Sequence, residues 1–405
     1  MITKSFRFAW IASTLVVGAL LQACALPRLE PVPSTLTERA VVPGIPNSRY
    51  WVDRDLDPFV EQVLQDLERE SKALAQAGNP RDQPLSALLA ISGGGDSGAF
   101  AAGLLAGWTA HGTRPEFRLV TGVSAGALIA PFAFLGSEYD EVIQTVSTSI
   151  GPKDVFRTRK LLTGLASDGM AHSKPLSRLV ETYVTPEVVS AVADEYAKGR
   201  ALYIGTTDLD SGRPVAWNMG AIASSEAPAA LELFRKVLIA STSIPGAVSP
   251  VMIDVEIDGK RFQEMHVDGG VVTQVFLYPP RILAELQRVT GVPFQRELGA
   301  YVIRNGRLEP TWSGTKRRTL AIGGRAISTL TQTQGSNDVD RIYRAAQQDG
   351  VDFNLAYIGS DFSYPHDENF DPEYMKRLFD YAYRLSANGY PWHKTPPGDA
   401  ALESQ

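Results

Sequence analysis

The stretch that most limits what this chain can fold into is Ala87–Gly136, ALLAISGGGDSGAFAAGLLAGWTAHGTRPEFRLVTGVSAGALIAPFAFLG. It reads as two consecutive strand–tight turn–helix units. In the first, the apolar run Ala87–Ile91 enters Ser92-Gly93-Gly94-Gly95-Asp96-Ser97-Gly98, and a helix of small residues begins near Ala99. In the second, Phe117–Thr121 enters Gly122-Val123-Ser124-Ala125-Gly126, and an apolar helix follows through Leu128, Ile129, Phe132 and Phe134. Both turns fall where a parallel sheet delivers the carboxyl ends of its strands, the edge at which α/β proteins place their chemistry.

The second turn has the form G-x-S-x-G. A serine on so sharp a bend presents its hydroxyl above the sheet, and side chains at Gly122 and Gly126 would collide with neighbouring backbone. Alone the pattern is weak: with Gly and Ser each at about 7% of residues, about 0.1 to 0.2 matches arise by chance in a chain this long. The setting strengthens it, with a strand before, a helix after and a glycine triplet upstream. Gly93-Gly94-Gly95 ahead of a helix can aim backbone N–H groups at an anion. A phosphate loop is one reading, but G-x-x-x-x-G-K-[ST] is absent and no lysine follows Gly98. A plain flexible turn is another. Beside an exposed Ser124 the triplet reads as an oxyanion hole, donors waiting for the charge that develops on an attacked carbonyl oxygen.

A third piece, Asp268-Gly269-Gly270, follows Val251–Val255 and the Asp258-Gly259 turn in a predicted hairpin. By itself a D-G-G is a hairpin-end turn. The three pieces together resemble the patatin-like phospholipases, whose pattern is a glycine-rich oxyanion loop, a G-x-S-x-G elbow some tens of residues later, and a distant D-G-[GA]. Here these are Gly93–Gly98, Gly122–Gly126 and Asp268–Gly270, in that order. Two further stretches are similar: Asp168-Gly169 followed by Pro175-Leu176, and Ala240-Ser241-Thr242-Ser243-Ile244-Pro245-Gly246 with Pro250-Val251. The resemblance runs from Leu85 to Asn305. The chain departs from it at Ser97, where the family often carries Arg or Lys, and at Ser92, where it often carries Asp. Losing a cation beside the loop weakens the pull on an anionic headgroup more than it touches hydrolysis.

What the resemblance implies is a three-layer α/β/α fold with a mostly parallel central sheet, and a serine acyl hydrolase of the phospholipase A or lipid esterase kind. Ser124 attacks the carboxylic ester of a lipid or other acyl substrate. Asp268 takes the proton directly, with no intervening histidine. Gly93, Gly94 and Gly95 hold the oxyanion, and Gly98, Gly122, Gly126, Gly269 and Gly270 shape the turns. A carboxylate that works as a base near neutral pH must be partly desolvated, so that its proton affinity rises. No metal and no organic cofactor is implied, and the five histidines show no ligand spacing such as H-x-x-x-H. Two alternatives stay open. One is an ordinary Ser–acid–His triad with His366 or His393 standing last; the other is a non-catalytic envelope lipoprotein that uses the fold as a binding module. His266, two residues before Asp268, is expected to pack rather than to line the site.

The start of the chain is an address. Residues 1–23 form a lipoprotein signal peptide, with Lys4 and Arg7 ahead of the apolar Ala9–Leu21, which is short for a membrane span. It ends in Leu21-Gln22-Ala23-Cys24, similar to a bacterial lipobox, and Cys24 is the only cysteine, so no disulfide forms within the chain. More than one acyl chain on Cys24 anchors a protein stably. Ala25 rather than Asp follows it, which points to an exported lipoprotein on the outer membrane, facing the periplasm. Residues 24–50 carry Pro27, Pro31, Pro33, Pro43 and Pro46 and read as an extended tether. Residues 51–305 form the catalytic domain and 306–405 a C-terminal α/β extension packed on it.

Removing Lys4 and Arg7 takes the formal charge from −6 to −8 (−6 minus two cations), and no long basic run exists. Nucleic acid is therefore not a partner; oligomeric state is unreadable. Helices are expected over Pro58–Ala77, Glu138–Thr148, Pro175–Val184, Pro186–Lys198, Pro228–Ile239, Arg281–Val289, Asp338–Gln348 and Pro372–Leu385. Further strands are expected at Ala201–Thr207, Val215–Asn218, Leu298–Ile303 and Phe353–Ile358. Lys316-Arg317-Arg318 with Arg325 is either a solvated surface or a lipid-facing patch. The aromatic-rich end, including Phe370, Tyr374 and Phe379, is either core or a wall of an acyl pocket.

Overall fold

The computed structural model describes residues 26–53, 56–78, 86–148, 151–155, 157–158, 168–172, 174–292, 296–364 and 369–397. Residues 1–23, read above as a signal peptide, Cys24 and His366 lie outside them. The strands are β1 (Arg49–Trp51), β2 (Ser86–Ile91), β3 (Phe117–Val123), β4 (Arg157–Thr158), β5 (Gly169–His172), β6 (Ala201–Asp208), β7 (Arg213–Asn218), β8 (Gly246–Val248), β9 (Val251–Ile257), β10 (Lys260–Asp268), β11 (Leu298–Arg304) and β12 (Asp352–Tyr357). The longer helices are α1 (Asp57–Gln76), α2 (Ala99–His111), α3 (Ala125–Leu135), α4 (Asp140–Thr148), α5 (Lys174–Tyr183), α6 (Pro186–Ala197), α7 (Ala230–Ser241), α8 (Ile282–Thr290), α9 (Thr319–Asp349) and α10 (Pro372–Ala387).

The main sheet runs β1-β7-β6-β3-β2-β11-β12, and β6, β3, β2, β11 and β12 are mutually parallel. The sequence of β2, SALLAI, is apolar without alternation because both of its faces are covered. Leu89 and Ile91 pack among α2, α3, α7 and α10, while Leu88 and Ala90 pack toward Val339 and Ile342 of α9. Phe59 and Val60 of α1 and Ile282 and Leu286 of α8 complete that second layer against Ala201 and Tyr203 of β6. The result is a three-layer α/β/α fold around a mostly parallel sheet.

One feature of the sheet positions the site. The first half of β6 pairs in parallel with β3, up to Val123 against Gly205. Its second half pairs antiparallel with the end of β10, with Asp268 against Thr206. β10 thus takes over from β3 as neighbour of β6, and the ends of β3 and β10 meet head to head. β10 itself is the return strand of a hairpin turned by Asp258 and Gly259, both at positive φ (51° and 80°), as the Asp-Gly dipeptide leads one to expect. A second small sheet, β4-β5-β8, joins two of the outlying family-like stretches. Gly169 pairs with Gly246, and Ser249 donates to Asp168 at 2.7 Å.

Two expectations change. The described part of the proline-rich stretch is no free tether: Val32, Val42 and Ile45 are buried, and Val41 exchanges two backbone hydrogen bonds with Glu256 of β9. Arg28 pairs with Asp210, and Arg49 with Glu264 of β10. Proline keeps this strap extended, and its few apolar residues suffice because the hairpin supplies the matching backbone groups. Nor is Asn305 a seam. β12 is an edge strand of the main sheet, and α10 lies across α2 so closely that a Cβ on Gly103 would stand 2.9 Å from the Phe379 backbone. Helix α9 begins at Thr319, well before the expected Asp338, because its first turns show the core no apolar face.

Candidate active site

The elbow after β3 is built by close approach. A Cβ on Gly122 would lie 2.6 Å from the Gly126 carbonyl oxygen, and one on Gly126 would lie 2.8 Å from the Ile91 carbonyl carbon. Between them Ser124 takes φ 54°, ψ −123°, a conformation that is costly for a non-glycine residue and persists only where its surroundings impose it. Those surroundings include Ser241. The Ser124 N–H donates to Ser241 Oγ at 2.9 Å, and Ser241 Oγ donates in turn to the Gly205 carbonyl at 2.6 Å.

Ser124 Oγ donates directly to Asp268 Oδ2 at 2.6 Å, the contact that the meeting of β3 and β10 makes possible. The other carboxylate oxygen, Oδ1, accepts from the Gly270 N–H at 2.7 Å, and the Asp268 N–H donates to the Ser243 carbonyl at 3.0 Å. Asp268 is 6% exposed. Burial pushes its carboxyl up to about 6, against the opposing pull of the Ser124 hydroxyl and the Gly270 N–H. Gly269 passes so near β6 that its Cβ would sit 2.6 Å from the Gly205 oxygen, and Gly270 has room for none beside Gln274.

The glycine triplet divides. The Gly93 N–H is committed to the Gln274 carbonyl at 3.0 Å, so this residue, expected among the oxyanion donors, is not available for that purpose. Gly94 and Gly95 line the same cleft as Ser124 and Asp268, and no acceptor among the described residues takes their N–H groups. Helix α3 starts at Ala125, so its positive end also lies at the elbow. Gly98 lets the loop lie on α3, with a Cβ there only 3.0 Å from that of Ala125.

Residues that sequence reasoning passed over hold this loop. Asn305 donates from Nδ2 to the Ser92 carbonyl and from its N–H to Ser92 Oγ, both at 2.8 Å, and accepts from the Ala101 N–H at 3.0 Å. Arg304 donates to the Gly93 carbonyl at 2.9 Å and to Ser92 Oγ at 3.1 Å. Burial lowers its guanidinium to about 10, partly offset by Asp338. Gln274 ties the loop to the turn after Asp268: its side-chain amide donates to the Gly270 carbonyl at 2.7 Å, and its N–H donates to Asp338 of α9 at 2.6 Å. The available signal was positional: polar residues at the carboxyl end of β11, in register beside the end of β2.

Ser124 stands between two spaces. One is an open cleft of about 920 Å³ holding Gly94, Asp268, Arg304 and Tyr374; the other is an apolar pocket of about 70 Å³ walled by Leu128, Leu176, Ile244, Phe370 and Met375. The aromatic C-terminal region thus serves both as core and as wall. An apolar cavity of about 540 Å³ between α1, α8 and the other sheet face includes neither Ser124 nor Asp268. His266 is fully buried, between Thr206 Oγ1 at 3.0 Å and Glu264 Oε2 at 3.1 Å, away from either space. His393 pairs through its backbone with Leu355 on edge strand β12 and lies 4.9 Å from the Tyr357 ring.

A serine on a strand-to-helix elbow of a mostly parallel α/β/α sheet, hydrogen-bonded to a buried carboxylate, defines a class of nucleophile-elbow proteins. Within it, the family model for patatin-like phospholipases matches residues 89–279 of the chain. That match supports lipid acyl hydrolase activity in general. Among solved structures the chain is similar to VipD from Legionella pneumophila, at 9% identity and a TM-score of 0.36. That match covers 76% of this chain and 66% of VipD, just under two thirds of its length. No curated protein matches the sequence.

Proposed function

We propose that the protein hydrolyses carboxylic esters of lipids through an acyl-Ser124 intermediate, with Asp268 as the sole general base. The observation that carries this is the 2.6 Å hydrogen bond from the Ser124 hydroxyl to a buried carboxylate, with no imidazole between them. As Ser124 Oγ adds to the ester carbonyl, its proton passes to Asp268, and the tetrahedral oxyanion meets the N–H groups of Gly94 and Gly95. Collapse expels the alkoxide, which takes the proton back from Asp268 and leaves as an alcohol. Water then repeats the sequence, giving Asp268 a proton as it attacks, and releases the fatty acid and free Ser124. The pocket beside Leu128 and Leu176 would take the first carbons of the acyl chain.

Hydrolysis of a short soluble acyl ester and of a phospholipid in micelles tests the reading. Ser124→Ala should fall to background, and Asp268→Asn should lose about 10²- to 10⁴-fold in kcat, the usual worth of a positioned base. Because the carboxyl must be ionised, kcat/KM should climb with pH through about 6 and then level off. Abolished activity in a folded His393→Ala or His366→Ala variant would restore the triad. A wild type as inert as Ser124→Ala would favour the binding module. We also propose acylation at Cys24, on the lipobox, and an outer-membrane location, on Ala25 after it; detergent-phase partitioning unchanged by Cys24→Ala would sink that part.

A further inference from the structure

Helix α9 is packed over only part of its length. Its later turns bury Val339, Ile342 and Ala346. Its first turns stand clear, with Ile322 54%, Ile327 66% and Leu330 70% exposed, and Trp312 in the preceding loop is 90% exposed. Ile322, Ala326 and Leu330 recur every four residues and share a face. Single exposed apolar side chains need no explanation, but a large group of them on one short segment does.

The same segment is basic in an acidic protein. Between Pro310 and Asn337 the chain carries Lys316, Arg317, Arg318 and Arg325 and no acidic residue, against a net charge of −6 overall. Among the described residues no carboxylate pairs with Lys316, Arg317 or Arg318. The segment also adjoins the catalytic cleft, whose wall includes Arg325, Ile327 and Leu330 together with the half-exposed Ile244 and Val271.

We infer that residues 312–330 are an interfacial docking surface that seats the cleft on an anionic lipid bilayer. Apolar side chains enter the acyl boundary while the cations lie among the headgroups. A nucleic acid would satisfy the cations but leave Trp312 and Leu330 in water. A second copy of the chain would cover the apolar face but set four cations against four. The docking gives the proposed hydrolase access to aggregated substrate and rests on that reading for its purpose; the binding itself does not depend on turnover.

The test uses the full chain with Cys24→Ala and Ser124→Ala, so that neither an acyl anchor nor hydrolysis contributes. It is sedimented with phosphatidylcholine vesicles with or without phosphatidylglycerol. Binding should require phosphatidylglycerol and weaken as salt rises. Trp312→Ser with Ile322→Ser should lose about tenfold in affinity. Replacing Lys316, Arg317 and Arg318 by Gln should lose about fivefold per cation and erase the difference between the vesicles. Trp312→Ser alone, at a site almost wholly in water, keeps the test intact if the double variant misfolds. Binding by the variants equal to that of the parent overturns the inference. So does a dimer in light scattering that Trp312→Ser dissolves. Soluble-ester turnover by the Ser124-intact chain separates the two readings: vesicle binding without turnover removes the hydrolase and leaves the docking, whereas turnover with variant-insensitive binding removes the docking alone.

Discussion

Burial and hydrogen bonding pull Asp268 in opposite directions, and burial wins. A carboxyl whose folded value is raised from 3.8 to about 6 contributes its stabilisation below the unfolded value and loses it as pH rises through the folded one. Above that range the buried anion costs up to about 3 kcal/mol, at 1.36 kcal/mol per unit. Asp268→Asn, which keeps an acceptor for the Gly270 N–H, should therefore melt higher than wild type at pH 8 while being inactive. In thermal unfolding the gap should close toward pH 4. Ser241→Ala leaves the buried Ser124 N–H and the Gly205 carbonyl short of a partner, which costs about 1–3 kcal/mol. Because it loosens the elbow rather than the substrate contacts, kcat should fall with KM little changed. The Ser124 elbow was legible in the sequence because G-x-S-x-G between a strand and a helix dictates a sharp turn, whereas Asp268 was reached only through the family resemblance, since D-G-G alone reads as a hairpin end. Gly93 was misassigned because its N–H is claimed by Gln274, a partner that only the folded loop brings near. Arg304 was hidden for the same reason: it reaches Ser92 through the pairing of β11 with β2, and it returns a cation to the loop from which Ser97 had removed one.

At the scale of elements, the close crossing of α2 and α10 is the contact most exposed to mutation. Gly107 has no room for a side chain, since its Cβ would stand 3.0 Å from the Tyr383 Cα. Gly107→Val should cost about 1–3 kcal/mol or more by overpacking, read as an earlier midpoint in urea unfolding. A second prediction concerns β1 and β10. Arg49 and Glu264 are almost wholly buried and bond at two points, one of them 2.8 Å. Burial opposes ionisation of Glu264, but Arg49 and His266 hold it down at about 2. Glu264→Ala strands a buried guanidinium and should cost about 3–5 kcal/mol at neutral pH. The pair's own contribution is present above the unfolded carboxyl value, near 4.5, and fades as pH falls toward 2. Strands of the parallel core were easy to read because burial on both faces leaves unbroken apolar runs. The strap at 26–48 and the early turns of α9 were not, since one draws its order from the hairpin beside it and the other buries little apolar surface.

Across the whole molecule, the first and last described stretches are woven into the architecture that carries the site. The C-terminal third supplies β12, the α10 cover, the Asp338 acceptor under Gln274 and the proposed docking segment. At the other end, three residues separate Cys24 from Arg28, whose guanidinium is fixed to Asp210. Fully extended, that interval reaches about 14 Å, so on the proposed acylation the body would ride close against its membrane instead of ranging over it. The division of β6 between β3 and β10 has another consequence, for how such a chain can change over generations. Ser124 follows β3 and Asp268 ends β10, strands that do not pair with each other and share β6 as their common neighbour. Adding or deleting one residue between Gly205 and Thr206 would change their offset by about 3.3 Å and turn one of them to the wrong face. The Asp258-Gly259 turn carries no such constraint. Length variation is closed to the shared strand and open to the hairpin tip, so relatives that keep this chemistry should differ in the second and agree in the first.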